Sequence, residues 1–277
     1  MRSTDHAKLV SDLYPAVLEA GRLEMSYFNA GVTIETKADK SPVTAADREA
    51  EAIILKALAA IAPDVPVVAE EAAAAGHIPA KADRFFLVDA LDGTRLFIKG
   101  KPEFSVNVGL IEDGKPVFGL IYVPPTGALY FTSGNGASVR ATAHCDEARA
   151  RPLSTIEVTP LATRVPDLNN LKAFNSRTAG AAGASLLAAL NVRHAEPVGS
   201  SLKFCLIAAG EGDIYARLGE TSEWDTAAGQ AILEAAGGTV TTRDGAPLTY
   251  GKAAATYRNP HFIAWGGKPL LTGFEGR

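Results

Sequence analysis

Cysteine is nearly absent from this 277-residue chain. Cys145 and Cys205 lie far apart with no CxxC spacing, which excludes a disulfide framework and a thiolate zinc site. Both read as incidental or buried thiols. Positive charge is not in excess either: 27 Lys and Arg against 31 Asp and Glu give a formal net charge of −4, with no basic stripe to follow a polyanion. Nucleic acid is therefore not an expected partner. No segment reaches the uncharged apolar length of a membrane span, and Met1-Arg2-Ser3-Thr4-Asp5-His6 lacks the apolar core of a signal peptide. A soluble cytoplasmic protein is the expectation. The chain also lacks GxxxxGK[ST] and any kinase-type glycine-rich loop, which sets aside a nucleotide-binding module of that kind.

A hydrophobic fraction of 47% is ample for a buried core. Apolar residues from Asp5 to Phe28 recur at helical spacing, Val32 to Thr36 alternates like a strand, and Thr44 with Asp47 resembles a capping box that opens a second helix to about Ala60. Val65 to Ala69 reads as a strand and Ala72 to Asp83 as an exposed connection. Phe104 to Ile111 and Val117 to Val123 flank Glu112-Asp113-Gly114-Lys115-Pro116, a hairpin signal, and Ala128 to Thr132 follows as another strand. The mixed stretch 137–163 suggests a boundary between an N-terminal α+β metal-binding region, 1–150, and a C-terminal α/β substrate-binding region, 151–277. Strands at Leu171 to Asn175, Val192 to Pro197, Asp213 to Ala216 and Thr239 to Thr242 then alternate with helices at Ala181 to Leu190, Ser200 to Ala209 and Trp224 to Ala236. The fold class is α/β, a layered sandwich of alternating helices and sheets.

The most informative segment is Phe85-Phe86-Leu87-Val88-Asp89-Ala90-Leu91-Asp92-Gly93-Thr94. An apolar strand runs into Asp-x-x-Asp-Gly-Thr, which puts hard oxygen ligands at a strand's carboxyl end. Gly93 lets backbone approach an anion, the Leu91 carbonyl is a further oxygen, and the Thr94 hydroxyl can cap a helical turn and orient a water. Three further acidic stations accompany Asp89 and Asp92: Asp47, Glu70 with Glu71, and Asp225. Oxygen ligands without His or Cys would select magnesium, and carboxylates brought together would repel unless cations filled the cluster. Each station also has a plainer reading. Asp92-Gly93 fits a turn, Asp47 and Glu51 a solvated helix face, Glu70-Glu71 a polar strand end, and Asp225 a charge favoured by a helix N-terminus. For the anion side, Gly199-Ser200-Ser201-Leu202-Lys203 reads as a loop opening a helix, and Ser176-Arg177 offers a guanidinium; plain capping and a solvent-exposed lysine are the alternatives.

Four ordered motifs carry a resemblance over nearly the whole chain: Pro42-Val43-Thr44-Ala45-Ala46-Asp47, Ala69-Glu70-Glu71, Asp89-Ala90-Leu91-Asp92-Gly93-Thr94, and Glu223-Trp224-Asp225-Thr226-Ala227-Ala228-Gly229. The chain resembles the lithium-sensitive, magnesium-dependent phosphatases of the inositol monophosphatase and fructose-1,6-bisphosphatase superfamily. Within it, Arg95 to Val123, Val198 to Cys205 and the run from Asp213 to Gly229 look most like the bacterial 3′(2′),5′-bisphosphate nucleotidase branch.

The resemblance implies the sugar phosphatase fold of that superfamily and hydrolysis of adenosine 3′,5′-bisphosphate to AMP and phosphate, a clearance step of sulfate assimilation. It implies two or three Mg2+ held by Glu70, Asp89, Asp92, Asp225 and the Leu91 carbonyl, with Glu71 close by. Asp47 and Thr94 would activate the water. Gly93 and Thr94 would hold the scissile phosphate, and Ser176, Arg177, Gly199, Ser200, Ser201, Lys203 and Asp225 would contact substrate. A monomer or homodimer, with possible peripheral association with the inner membrane, completes the expectation. Ala90 stands where the family usually has Pro, Arg95-Leu96 replaces Lys-Glu, and Ser176-Arg177-Thr178-Ala179 lacks a usual histidine. The rivals are an inositol or sugar monophosphate phosphatase and a catalytically silent metal-binding regulatory protein.

Overall fold

The computed structural model describes residues 5–146, 148–177, 181–190, 192, 194–252 and 257–270. Leu9, Val10, Leu13, Val17 and Leu18 fall on one face of α1 (His6–Ala30), which Asp5 caps by accepting from the Lys8 amide. β1 (Glu35–Thr36) and β2 (Pro42–Val43) form a small antiparallel hairpin, so only the end of the expected 32–36 strand joins a ladder. Thr44 and Asp47 make the capping box of α2 (Ala45–Ile61). β3 (Val67–Ala69) leads into a single helical turn, α3 (Glu70–Ala74), where sequence suggested only a connection. β4 (Arg84–Asp92) is followed by α4 (Thr94–Ile98).

An antiparallel meander then runs through β5 (Ser105–Glu112), β6 (Lys115–Val123), β7 (Ala128–Gly134), β8 (Ala137–Thr142) and β9 (Val158–Pro160). The last two lie in the stretch that sequence left without strands. With β3 parallel to β4, they make a seven-stranded sheet in sequential order.

β10 (Lys172–Asn175), α5 (Ala181–Ala189), β11 (His194–Pro197), α6 (Leu202–Ala208), β12 (Ile214–Arg217), α7 (Ala227–Ala235), β13 (Thr239–Thr242) and β14 (Phe262–Trp265) complete the chain. Their five-stranded sheet has the order β11-β10-β12-β14-β13, parallel on the β10 side and antiparallel around β14. Residue 193 of the expected 192–197 strand lies outside the described residues.

Period-two alternation assigns each strand to two cores. On β4, Phe86, Val88 and Ala90 face α1 and α2, while Phe85 and Leu87 join the core that holds α6 and α7. On β14, Phe262 and Ala264 face that same central core, and Ile263 and Trp265 pack with Leu186 and Leu187 of α5. The layers therefore read helices, sheet, helices, sheet, helix. Gly109 and Gly119 sit opposite one another on β5 and β6, directly beneath α7. A Cβ on Gly119 would lie 2.2 Å from the Ala228 carbonyl oxygen, and one on Gly109 would lie 2.8 Å from Ala227 Cβ. Only glycine lets the start of α7 lie this close to the sheet, and that contact carries Asp225 down to the end of β4. No described helix is long and apolar enough to cross a membrane.

Candidate metal and phosphate site

The ladder between β4 and β5 slips at the functional segment. Asp89 is opposite Asn107 and Asp92 is opposite Ser105, so three steps on β4 match two on β5. Residues three apart on a regular strand point to opposite faces; the extra residue at Ala90-Leu91 brings both aspartates toward one side. Gly93 then ends the strand at φ 103°, and a Cβ there would meet the Glu103 carbonyl oxygen at 2.8 Å. The buried Ala90 and Leu91 occupy the bulge without a proline.

Glu70, Asp89 and Asp225 converge until carboxylate oxygens from all three lie within 4.8 Å of one another. Glu70 arrives at the start of α3. There the buried Glu51 carboxylate accepts the Glu71 amide at 2.7 Å and the Ala72 amide at 2.8 Å, capping α3 from another helix. Glu51 is thus no solvated residue but the peg that sets Glu70. Its replacement by alanine should cost about 2 kcal/mol, from two amides losing a charged acceptor. Thermal melts with and without Mg2+ check this: the variant should melt lower and gain a smaller Mg2+ shift.

Asp225 ends a 3-10 turn, Glu223–Asp225, held by a capping box in which the Ser222 amide donates to Asp225 Oδ2 at 2.8 Å. Burial first, and then Glu70, Asp92 and Asp225, raises the Asp89 pKa well above the carboxylate range. Burial, Asp92 and Glu70 do the same to Asp225. Two such charges about 5 Å apart repel by about 3 kcal/mol at an effective dielectric of about 20. An all-oxygen set this close, in a cleft that Leu91 also lines, fits a hard divalent cation. Asp92 lies within electrostatic reach of both aspartates but outside the tight trio; its Oδ2 accepts from Ser201 Oγ at 2.8 Å and from Asn107 Nδ2 at 3.3 Å.

Lys37, from the β1–β2 hairpin, was not a sequence candidate. Its ammonium donates to Glu70 at 2.6 Å and Glu71 at 2.5 Å. Burial opposes its charge, yet the two glutamates hold its pKa above the ordinary lysine range. Burial also pushes Glu71 up to about 7 against the pull of Lys37.

Asp47 is buried, which overturns the solvated-face alternative. Its Oδ2 accepts from the Thr44 amide at 2.8 Å and the Thr44 hydroxyl at 2.7 Å, while Oδ1 accepts from Thr94 Oγ1 at 2.8 Å. The pairing of Asp47 with Thr94 anticipated from sequence is present. Behind it, Glu24 on α1 is fully buried with neither carboxylate oxygen partnered among the described residues, and burial followed by Asp47 raises its pKa well above the usual range.

These groups open into a cleft of about 510 Å³ lined by Glu70, Asp89, Leu91, Asp92, Gly93, Thr94, Ser176, Arg177, Gly199, Ser200 and Asp225, among others. Arg177 makes a two-point ion pair with Glu103, which also accepts the Gly199 amide at 2.7 Å, so neither the guanidinium nor that amide stands free. Ser200, at φ 54°, hydrogen-bonds through its hydroxyl to Ser105. Ser201 precedes α6 without capping it; its hydroxyl instead lies 2.7 Å from the Asp225 carbonyl oxygen as well as against Asp92.

A side chamber of about 110 Å³ leads off past Ser201, Lys203, Tyr215 and Arg217. Lys203 is buried rather than solvated. Its ammonium donates to the Val198 carbonyl at 3.1 Å and the Ser200 carbonyl at 2.5 Å, stands 4.9 Å from the Tyr215 ring centre, and is pulled down to about 8 by burial. Arg217 is a second residue the sequence did not mark. Its Nε is buried without a hydrogen-bond partner among the described residues, and one NH2 group donates to the Glu220 carbonyl at 2.8 Å. A cation at the end of a strand that alternates between two cores has no local signal; only its burial beside Lys203 reveals it.

A family model described as the inositol monophosphatase family matches residues 5–268. The 3′(2′),5′-bisphosphate nucleotidase CysQ of Salmonella typhimurium is 38% identical over 250 residues, covering 88% of this chain and 94% of that protein. The crystal structure of CysQ from Bacteroides thetaiotaomicron, a bacterial member of the same family, matches with a TM-score of 0.75 and 33% identity, covering 95% of this chain and 98% of that one. An inositol monophosphatase from Anabaena matches with a TM-score of 0.70 and 26% identity, over 94% and 91%.

Proposed function

The chain belongs to the inositol monophosphatase family, and from that footing we propose that it is a magnesium-dependent 3′(2′),5′-bisphosphate nucleotidase. Its reaction would be water plus adenosine 3′,5′-bisphosphate giving AMP and inorganic phosphate. The observation that carries this reading is the joint placement, on one cleft, of the Glu70, Asp89 and Asp225 trio and a side chamber holding Lys203 and Arg217, neither of which pairs with a carboxylate among the described residues. A monophosphate needs the first; a substrate with a second phosphate gives work to the second. The higher identity to bisphosphate nucleotidases than to the Anabaena inositol monophosphatase points the same way.

Glu70, Asp89, Asp92, Asp225 and the Leu91 carbonyl would hold the cations, two or three by family resemblance. Bound there, they would neutralise the carboxylates and supply Lewis acidity to water and phosphate oxygens. The chain's own residues account for the rest. Thr94 donates to Asp47, which leaves its oxygen able to accept from the attacking water; as that water loses its proton, Thr94 would take it and pass its own to Asp47. Lys37, bonded to both glutamates, keeps Glu70 in place, and Glu71 beside it would assist catalysis, as the family resemblance implies. Gly93 and Thr94 at the start of α4 would hold the scissile phosphate, with Ser176, Arg177, Gly199, Ser200, Ser201 and Lys203 toward the nucleoside. Attack in line breaks the bond between phosphorus and the 3′-oxygen, and that oxygen leaves with a proton from solvent.

A cytoplasmic place in sulfate assimilation, as a monomer or homodimer, accompanies the proposal. Phosphate release at fixed Mg2+ from adenosine 3′,5′-bisphosphate, 5′-AMP and inositol 1-phosphate tests it. The bisphosphate should be cleaved at least about tenfold faster in kcat/KM than either monophosphate. Parity with inositol 1-phosphate would sink the nucleotide assignment, and no release from any would indicate a silent scaffold.

A further inference from the structure

The cleft sorts its charge. Its floor carries Glu70, Asp89, Asp92 and Asp225, while one wall, formed by α4 and the turn after it, carries Arg95, Lys99 and Lys101. All three cations are exposed, and none forms an ion pair with a carboxylate among the described residues. Two other cations around the cleft are already committed to carboxylates, Arg177 to Glu103 and Lys37 to Glu70 and Glu71, while Lys203 and Arg217 lie inside the side chamber rather than at the opening. On a chain of net charge −4, an approaching anion meets an acidic protein whose uncompensated cations at this opening stand within seven residues of one another.

We propose that Arg95, Lys99 and Lys101 form an anion-collecting strip that favours doubly over singly phosphorylated substrates by accelerating their encounter with the cleft. The inference rests on the reading that the substrate carries two phosphates. The three side chains act at long range, before the phosphates settle, so they touch neither the reacting atoms nor the step that follows binding. A bisphosphate carries roughly −3 to −4 and a monophosphate roughly half that, at up to about −2 per phosphate. The encounter energy scales with the ligand's charge, so the logarithm of the rate advantage should be about twice as large for the bisphosphate. Salt should erase it, since screening falls from about 30 Å at 0.01 M to about 3 Å at 1 M.

The test compares the full-length, Mg2+-loaded wild type with Arg95→Gln/Lys99→Gln/Lys101→Gln, and with the single variant Lys99→Gln should the triple variant melt much lower. At low salt, kcat/KM of the triple variant should fall about tenfold for adenosine 3′,5′-bisphosphate and about threefold for adenosine 3′-monophosphate, with kcat at saturation within twofold. At 0.5 M salt the variant and wild type should coincide. Equal losses for both substrates, or a loss that survives high salt, would overturn the strip. Wild-type failure to hydrolyse the bisphosphate overturns the substrate reading instead, and it is seen without any variant.

Discussion

Asparagine at position 225 is expected to abolish turnover and, at the same time, to raise the melting temperature of the metal-free protein. The two effects share one cause. Asp225, Asp89 and Glu70 bring oxygens within 4.8 Å of one another in a buried setting, where each ionised carboxylate lacks water and faces like charge. Asp225→Asn keeps an oxygen to accept the Ser222 amide but removes one charge. Replacing poorly compensated buried charge by a neutral group is commonly worth about 1–4 kcal/mol, which for a chain of this size is a rise of several degrees. Activity moves the other way: outer partners of a metal centre typically cost about 10- to 100-fold, so loss of a ligand should exceed about 10³-fold in kcat. Mg2+ should stabilise the wild type strongly and Asp225→Asn far less, because binding to the folded state alone is what shifts the melt.

The pH dependence of the metal-free protein follows from the direction of the shifts. Asp89 and Asp225 have raised pKa values, so their contribution to stability is complete below the unfolded carboxylate value of about 3.9 and is lost as pH climbs through the folded values. Glu71, at about 7, adds a loss in the same direction over roughly pH 4 to 7. The gap in melting temperature between Asp225→Asn and wild type should therefore widen from pH 4 to pH 7 without metal. Melts across that range with a chelator present measure it. A variant that melts lower than wild type at pH 7 would show the cluster to be compensated already, and retained turnover would remove Asp225 from the metal site.

Much of this site was legible because its chemistry is local in sequence. Asp89 to Thr94, Thr44 to Asp47 and Glu223 to Asp225 are short motifs whose turns and caps are made by the same residues that carry function. What escaped depends on distance. Lys37 meets Glu70 across 33 residues, Glu103 meets Gly199 across 96, and Asn107 meets Ser201 across 94, and no periodicity links such partners. The fold shows the same division. α1, α2 and the β5–β6 hairpin have strong periodic patterns, whereas β8 and β9 alternate too briefly amid charges and prolines. β14 shows only four apolar letters, because both of its faces are buried. Glu51 looked like a solvated helix residue because its two acceptor bonds go to amides 20 and 21 residues away.

Valine at position 94 should reduce kcat by about 10²- to 10⁴-fold while leaving KM and the melting temperature close to wild type, and serine there should restore most of the rate. Valine preserves the shape of threonine and removes only the hydroxyl, which in the structure donates to Asp47 Oδ1 at 2.8 Å and lies 3.3 Å from the Leu91 carbonyl. The range is that of general acid-base assistance. A passive hydrogen bond would give less, since Asp47 keeps its two contacts from Thr44 and loses a single donor. Saturating kinetics of Thr94→Val, Thr94→Ser and Asp47→Ala separate the cases. If the hydroxyl and the carboxylate move one proton between them, either loss disables the same unit, and the double variant should be no slower than the worse single one. Asp47 also caps α2, so Asp47→Ala should cost about 1–2 kcal/mol of stability that Thr94→Val does not. That difference lets the melts report the cap while the rates report the relay. Additive losses in the double variant, or a Thr94→Val enzyme within tenfold of wild type, would mean that water is activated without this pair.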